Sequence, residues 1–333
     1  MPEQEERPVR FGVMGCASVA ERKTLPAMAH RPAARIVAIA SRTRAKAEGF
    51  TARFGGTAVE GYERLLERDD VEAVYIPLPA LLHAEWIERA LLAGKHVLAE
   101  KPLTLSHGDS ARLVALAAER GLVLAENLMF LKHSQHARVA ELVADGVIGE
   151  LRSLTAEFAY PPKTAENDIR YRKEGGGTLW ESGIYPVRTA QLHLGAELEV
   201  VGAARHDSAE HGVDLSGAAL LASADGAATA HLAWGIGYSY RSAYALWGSR
   251  GRIVVTWAYT PPADHRPVVW IEGQDRREEL TLAADDQFGN AVDAFVSAVR
   301  HGTESGLQGE PVLSQADLIE RVRARSVRLP AHP

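Results

Sequence analysis

The sequence predicts an α/β protein in two parts: a doubly wound parallel sheet, then an α+β region with an open, mostly antiparallel sheet. Three observations carry this. Short apolar runs alternate with amphipathic stretches through residues 1–126; strand then succeeds strand through much of 127–333; and a glycine turn joins the first apolar run to the first helical stretch. A chain of 333 residues suits about two such domains.

The early runs are Arg10–Gly15 (RFGVMG), Arg35–Ala40 (RIVAIA), Val71–Pro77 (VEAVYIP), His96–Ala99 (HVLA) and Leu122–Ala125 (LVLA). Each is short and rich in β-branched or aliphatic residues, as expected of strands buried on both faces. Between them, Arg44–Phe54, Leu82–Leu92 and Ser106–Arg120 carry apolar residues at three- and four-residue steps, which predicts helices. Gly94 and Gly121 stand where a left-handed residue would end two of these helices.

Past residue 126 a helix over Ser134–Asp145 precedes a strand over Leu151–Tyr160. Pro161, Pro162 and the glycines 175–177 mark a loop before a helix over Thr178–Leu194. Seven strands come next, at Glu199–Arg205, Leu215–Ser223, Ala227–Trp234, Ser242–Trp247, Arg252–Trp257, Val268–Ile271 and Glu278–Leu282. Turn signals such as Ala224-Asp225-Gly226 and Ser249-Arg250-Gly251 suit antiparallel hairpins. Helices over Asn290–Arg300 and Ser314–Arg325 close the pattern. Without a flexible linker at the boundary, the cleft between the domains is the expected ligand site.

Composition narrows the function. Lys+Arg number 37 against 43 Asp+Glu, a formal charge of -6, so there is no basic footprint for nucleic acid. A single cysteine, Cys16, excludes an internal disulfide and a thiolate zinc cluster. The polar start MPEQEERPVR is unlike a signal peptide, and no apolar run approaches the ~18 residues of a membrane span, so a cytoplasmic protein is expected. His133 and His136 are expected to cap or decorate a helix rather than bind metal, and His206 and His211 to be exposed. Trp234, Trp247, Trp257 and Trp270 fall on predicted strands and read as sheet-face packing, within a subunit or between subunits.

Gly15-x-Ala17-x-x-Ala20 matches the dinucleotide fingerprint G-x-G-x-x-G/A with its middle glycine replaced. Gly15 suits the tight turn, Ala20 the close helix–strand contact, and Cys16, Ala17, Ser18 and Val19 would face a pyrophosphate. A plain βα turn would look similar; its place after the first strand of a parallel series favours the cofactor reading. Cys16 reads as a small neutral side chain there. After the second strand comes Ser41-Arg42 rather than an acid, which favours the 2′-phosphate of NADP(H) over the free ribose of NAD; a solvated basic loop is the alternative.

Glu100-Lys101-Pro102 after HVLA, Pro77-Leu78-Pro79, Ala125-Glu126-Asn127 and Gly175-Gly176-Gly177-x-x-x-Glu181-x-Gly183-x-Tyr185 occur in order along nearly the whole chain. In these motifs the sequence resembles the glucose–fructose oxidoreductase / inositol dehydrogenase / rhizopine-catabolism (Gfo/Idh/MocA) family. The resemblance implies a Rossmann domain, a C-terminal open sheet and a nicotinamide cofactor, with Pro77, Leu78, His83, Glu100, Lys101 and Asn127 at the cofactor. Gly15-Cys16-Ala17, VYIPLP, LHAEW, AENLMFLKHSQH and IRYR look closest to the NDP-hexose 3-ketoreductases of deoxysugar biosynthesis. Tyr185 shares this closer resemblance. Glu181 stands where many relatives carry aspartate.

The chemistry can be argued independently. Hydride transfer to a ketone leaves an alkoxide, which needs a proton donor and a nearby positive charge. A phenol is a poor acid at its ordinary pKa of about 10, and an ammonium within ~4–6 Å lowers it. Tyr185 as donor and Lys101 as electrostatic partner meet both needs. A dTDP-linked sugar brings a diphosphate; of Lys163, Arg170, Arg172 and Arg241, the pair Arg170 and Arg172 is preferred as its clamp, with Glu181 and Tyr185 at the sugar. The expected activity is NADPH-dependent reduction of a sugar ketone, most simply C3 of a dTDP-3-keto-6-deoxyhexose. An NADP-dependent dehydrogenase of a free aldose or cyclic diol, and a non-catalytic NADPH-binding sensor, stand as alternatives. A sheet with one helix-free face also predicts a homo-oligomer, dimer or tetramer.

Overall fold

The computed structural model describes residues 7–162, 171–172 and 176–330. The chain opens with β1 (Val9–Met14), α1 (Leu25–Ala29, entered through a π turn at Ala20–Thr24), β2 (Ala34–Ser41), α2 (Arg44–Phe54), β3 (Thr57–Glu60) and α3 (Tyr62–Leu66). It continues with β4 (Ala73–Ile76), α4 (His83–Leu92), β5 (His96–Glu100), α5 (His107–Glu119), β6 (Leu124–Asn127), α6 (Ser134–Ala144) and β7 (Leu151–Tyr160). Next are α7 (Ile184–Leu194, entered through a π turn at Leu179–Gly183), β8 (Leu198–Asp207), β9 (Asp214–Ser223), β10 (Thr229–Ile236), β11 (Arg241–Gly248) and β12 (Arg252–Thr256). The last are β13 (Val268–Glu272), β14 (Arg277–Thr281), α8 (Gln287–His301), α9 (Glu310–Arg325) and β15 (Ser326–Pro330). No helix among the described residues is long and apolar enough to cross a membrane.

The chain forms two compact units. One takes residues up to Thr104, Gly108–Lys132 and Asp286–Val312; the other takes Leu105–His107, His133–Asp285 and residues from Leu313 onward. This differs from a single cut at residue 126, because α8 returns to the first unit. Its apolar face, Phe288, Ala291, Val292 and Phe295, is buried, with the Phe295 ring 5.6 Å from Phe11 of β1. Arg31 bonds Asp293 at 2.8 Å, and Asn290 Nδ2 donates to Lys132 O at 3.0 Å.

The first unit holds a six-stranded, wholly parallel sheet of order β3-β2-β1-β4-β5-β6. Its order reverses between β1 and β4, the switch point at which such sheets bind ligands beyond their strand ends. The inner strands are buried apolar runs, as β4 (AVYI) shows. The edge strand β3 (TAVE) was not expected from sequence, since only one of its four residues is buried.

The second unit holds nine strands in the order β14-β13-β12-β11-β7-β10-β9-β8-β15. Pairing is antiparallel except where β7 meets β10 and β8 meets β15. Strands β8–β14 match the seven expected after the long loop. Unexpected β15 is an exposed edge ending in Pro330, a residue tolerated there because its missing N–H breaks no ladder. Helix α7 packs on β7 and β10. Trp234 is buried as expected, but Trp247 is 64% exposed. Trp257 lies just past β12 in the left-handed region (φ 55°), its ring tilted against those of Tyr240 and His265, each with centroids 5.3 Å away, so its strand assignment is corrected.

His133 caps α6 by accepting from Gln135 N at 3.2 Å, but both it and His136 are buried rather than on the helix surface. His136 bonds the Tyr244 hydroxyl and Ala258 O, both at 3.0 Å, and the His193 ring lies 5.2 Å from that of Tyr244. No group of three or more metal-ligating side chains occurs among the described residues. His206 and His211 are half-buried rather than exposed, the former bonding Pro330 O at 2.9 Å. Burial depresses His136 to about 3 and His193 to about 4. The unfolded chain takes up these protons near pH ~6.5, so their contribution to stability is complete above that value and is lost as pH falls towards 4. Thermal melting is expected to drop between pH 6.5 and 4.5, and His193→Phe to flatten that drop. An unchanged slope in the variant would refute the assignment.

Candidate active site

In the first unit, the turn after β1 is tight because Gly15 sits at φ 116° and its amide donates to Ala40 O at 2.9 Å. A Cβ there would lie 2.9 Å from Leu78 Cδ2, and at this φ any other side chain would be strained. The helix begins directly afterwards, with Glu21 N donating to Ala17 O at 3.0 Å, which leaves the Ala17–Val19 amides without helical acceptors. Ser18 is exposed; Cys16, Ala17 and Val19 are half-buried. Burial pushes the Cys16 thiol up despite the Lys46 cation nearby, so it stays protonated. Ser41 is buried and its carbonyl accepts from Gly61 N, while Arg42 is exposed beside Tyr62. Amides at a helix start, a glycine that admits close approach and an adjacent guanidinium together fit a phosphorylated dinucleotide.

Lys101 comes directly after β5 and is half-buried between anchored neighbours. Glu100 Oε1 accepts from the Tyr75 hydroxyl at 2.6 Å and from Asn127 Nδ2 at 2.8 Å, and the Thr24 hydroxyl donates to the Tyr75 oxygen at 2.9 Å. Leu103 N donates to Glu126 Oε1 at 2.7 Å. The Lys101–Pro102 bond is cis. His83 is 1% exposed, and its two ring nitrogens face Pro102 O and Leu78 O, each at 2.8 Å. Burial lowers the pKa of that ring and favours the neutral form, whose single N–H donates to one of these two carbonyls and not to both. Glu100, Asn127 and His83 are buried around the Lys101–Pro102 turn; Pro77 is buried and Leu78 borders the glycine turn. Tyr75 and Thr24 were missed by sequence reasoning, for nothing in VYIPLP marks a hydrogen-bonding tyrosine.

In the second unit, Tyr185 stands in the first turn of α7, 3% exposed, its ring 4.7 Å from Phe158 and 5.3 Å from Tyr259. Thr189 Oγ1 donates to Tyr185 O at 2.8 Å and pairs with the Tyr259 hydroxyl at 3.2 Å. Burial drives Tyr259 far above the ordinary phenol range, which keeps it neutral. Half-buried Glu181 lies on the π turn one helical turn before Tyr185. Arg172 is exposed, next to Tyr171, whose ring is 5.1 Å from His211. Arg170, Lys163 and Gly175 lie outside the described residues. Arg241 bonds Glu157 at 2.7 Å, which commits it to the sheet.

A switch-point glycine turn on a parallel 3-2-1-4-5-6 sheet defines the class: a dinucleotide-binding protein with a separate C-terminal domain. The chain belongs to the Gfo/Idh/MocA oxidoreductase family. Residues 9–128 match the model of an oxidoreductase family with an NAD-binding Rossmann fold, and residues 136–254 match the GFO/IDH/MocA C-terminal domain. It is 51% identical over 326 residues to a dTDP-3,4-didehydro-2,6-dideoxy-alpha-D-glucose 3-reductase of Actinomadura kijaniata, covering 97% of this chain and 98% of that protein. The enzyme of the same name from Saccharopolyspora spinosa is 52% identical over 323 residues, covering 95% and 97%. The crystal structure of KijD10, a 3-ketoreductase from Actinomadura kijaniata in complex with NADP and TDP-benzene, matches with a TM-score of 0.95 at 50% identity, covering 98% of this chain and 100% of that one.

Proposed function

We propose that this chain is an NADPH-dependent sugar 3-ketoreductase acting on a dTDP-linked 3-keto-6-deoxyhexose. The observation that carries the reading is near-end-to-end likeness, at half identity, to dTDP-3,4-didehydro-2,6-dideoxy-alpha-D-glucose 3-reductases. Bound NADPH supplies the hydride to the ketone carbon. Tyr185 gives its hydroxyl proton to the carbonyl oxygen and regains one from solvent, so that ketone, hydride and proton become a secondary alcohol. The Lys101 ammonium stabilises the oxygen as negative charge develops on it. Gly15 to Val19 receive the pyrophosphate of the cofactor, while Ser41 and Arg42 receive its 2′-phosphate. Arg170 and Arg172 clamp the substrate diphosphate, with Glu181 at the sugar. A cytoplasmic location fits this reading. So does a homo-oligomer, dimer or tetramer, formed through the sheet face that exposes Trp247; sedimentation as a monomer would end that part.

The test is NADPH consumption with a dTDP-3-keto-6-deoxyhexose, beside free aldoses and cyclic diols run with NADP. Turnover of the nucleotide sugar, with a new hydroxyl at C3 of the product, is the expected result. Turnover of the free sugar alone would replace this reading. Free dTDP is expected to compete with substrate. Arg42→Ala is expected to raise the NADPH dissociation constant about tenfold and leave that for NADH unchanged, because an exposed charge-assisted phosphate contact is lost. Equal NADPH affinity in the variant and the wild type would remove Arg42 from the cofactor site.

A further inference from the structure

Gly177, ahead of Tyr185, has a physical cause in strand β9. Gly176 and Gly177 both take φ 81°, and a Cβ on Gly177 would clash with Asp214 Oδ1, only 2.3 Å away. Asp214, the first residue of β9, is 4% exposed. Its Oδ2 accepts from Thr178 Oγ1 at 2.8 Å and from Leu179 N at 2.7 Å, so the carboxylate takes up an amide at the start of the helix. Its Oδ1 lies 3.7 Å from Arg205 Nη1, and Arg205 Nη2 lies 3.8 Å from Asp207 Oδ2. The Arg205 side chain is 5% exposed, so this positive charge is buried beside the carboxylate. From the capped end the chain runs without slack. Glu181 N donates to Gly177 O at 3.1 Å, Ser182 Oγ donates to Thr178 O at 3.0 Å, and the π turn Leu179–Gly183 leads straight into α7.

We propose that Asp214, backed by Arg205, is a positioning residue for Tyr185, acting through the Gly177–Leu179 turn. The carboxylate occupies the space that glycine leaves free and fixes where the helix starts. The helix start then fixes the phenol in the first turn of α7. The inference rests on the reading of Tyr185 as the proton donor. It adds a residue that touches no substrate atom yet sets the geometry of the one that does.

The experiment is a double-mutant cycle between Asp214→Asn and Tyr185→Phe, read as kcat and KM at a temperature well below each variant's melting point. With Tyr185 present, Asp214→Asn is expected to lower kcat about 10- to 100-fold, the cost of a small misplacement of a reacting group. The NADPH dissociation constant should change less than about twofold, since the cofactor is held elsewhere. In the Tyr185→Phe background the same change should lower the residual rate less than about threefold, because the group being positioned is gone. Equal losses in both backgrounds, or wild-type kcat in Asp214→Asn, would overturn the proposal. Wild-type turnover in Tyr185→Phe alone would instead overturn the proton-donor reading, visible without any change at Asp214. Should Asp214→Asn not fold, Thr178→Val keeps the side-chain volume and deletes one of the two bonds. It should cost about 3- to 10-fold in kcat with Tyr185 and nothing without it, and any other pattern decides against the proposal.

Discussion

Tyr185→Phe is expected to lower kcat about 100- to 10,000-fold, the range that a positioned general acid contributes. The substitution removes one oxygen and leaves the ring against Phe158 and Tyr259, at 4.7 and 5.3 Å, so folding should be unaffected. The neighbouring phenol is a poor substitute, because burial drives the Tyr259 pKa far above the ordinary phenol range, which makes it a still weaker acid, and its hydroxyl is engaged with Thr189. NADPH affinity should survive, because the groups assigned to the cofactor lie in the other unit. The decisive measurement pairs steady-state rates with a direct NADPH titration. Near-wild-type kcat with intact cofactor binding would end the assignment.

Lys101→Ala comes second, with an expected loss of about 100-fold or more in kcat, comparable to removal of one oxyanion-stabilising donor. The backbone that carries Lys101 is fixed on both sides, by the Tyr75 and Asn127 bonds to Glu100 and by His83 against Pro102 O. Truncating the side chain should therefore leave the turn in place, and the loss would report the ammonium itself. Lys101→Met, which keeps the apolar stem, should be as impaired as Lys101→Ala. Recovery of activity in Lys101→Met would show that packing, not charge, is what the position supplies.

Much of the fold could be read from the chain because burial leaves a periodic trace. Strands such as AVYI, closed in on both faces, announce themselves as apolar runs, and β8 to β14 alternate with clear turn residues. The edges β3 and β15 bury too little to leave that trace. The two π turns were also invisible, since one extra residue in a helical turn hardly alters a pattern of three- and four-residue steps. Among the candidate site residues, Gly15, Lys101 and Tyr185 stood out as motifs, but the groups packed against them did not. Thr24, Tyr75 and Asp214 work through partners far along the chain, and that distance is closed only by folding. Asp214 did leave one sign, an acid at the head of the otherwise small and aliphatic run DLSGAALLAS.

The return of α8 to the first unit bears on how the polypeptide can be cut and made. Phe11 in the opening strand meets Phe295 only after the intervening unit has been synthesised. A fragment stopping at Lys132 would carry all six strands of the parallel sheet yet leave that side of it bare. Such a fragment should aggregate on expression and regain solubility when the segment Asp286–Val312 is supplied or fused. On the ribosome, this side of the N-terminal sheet can be sealed only after residues 286–312 have emerged.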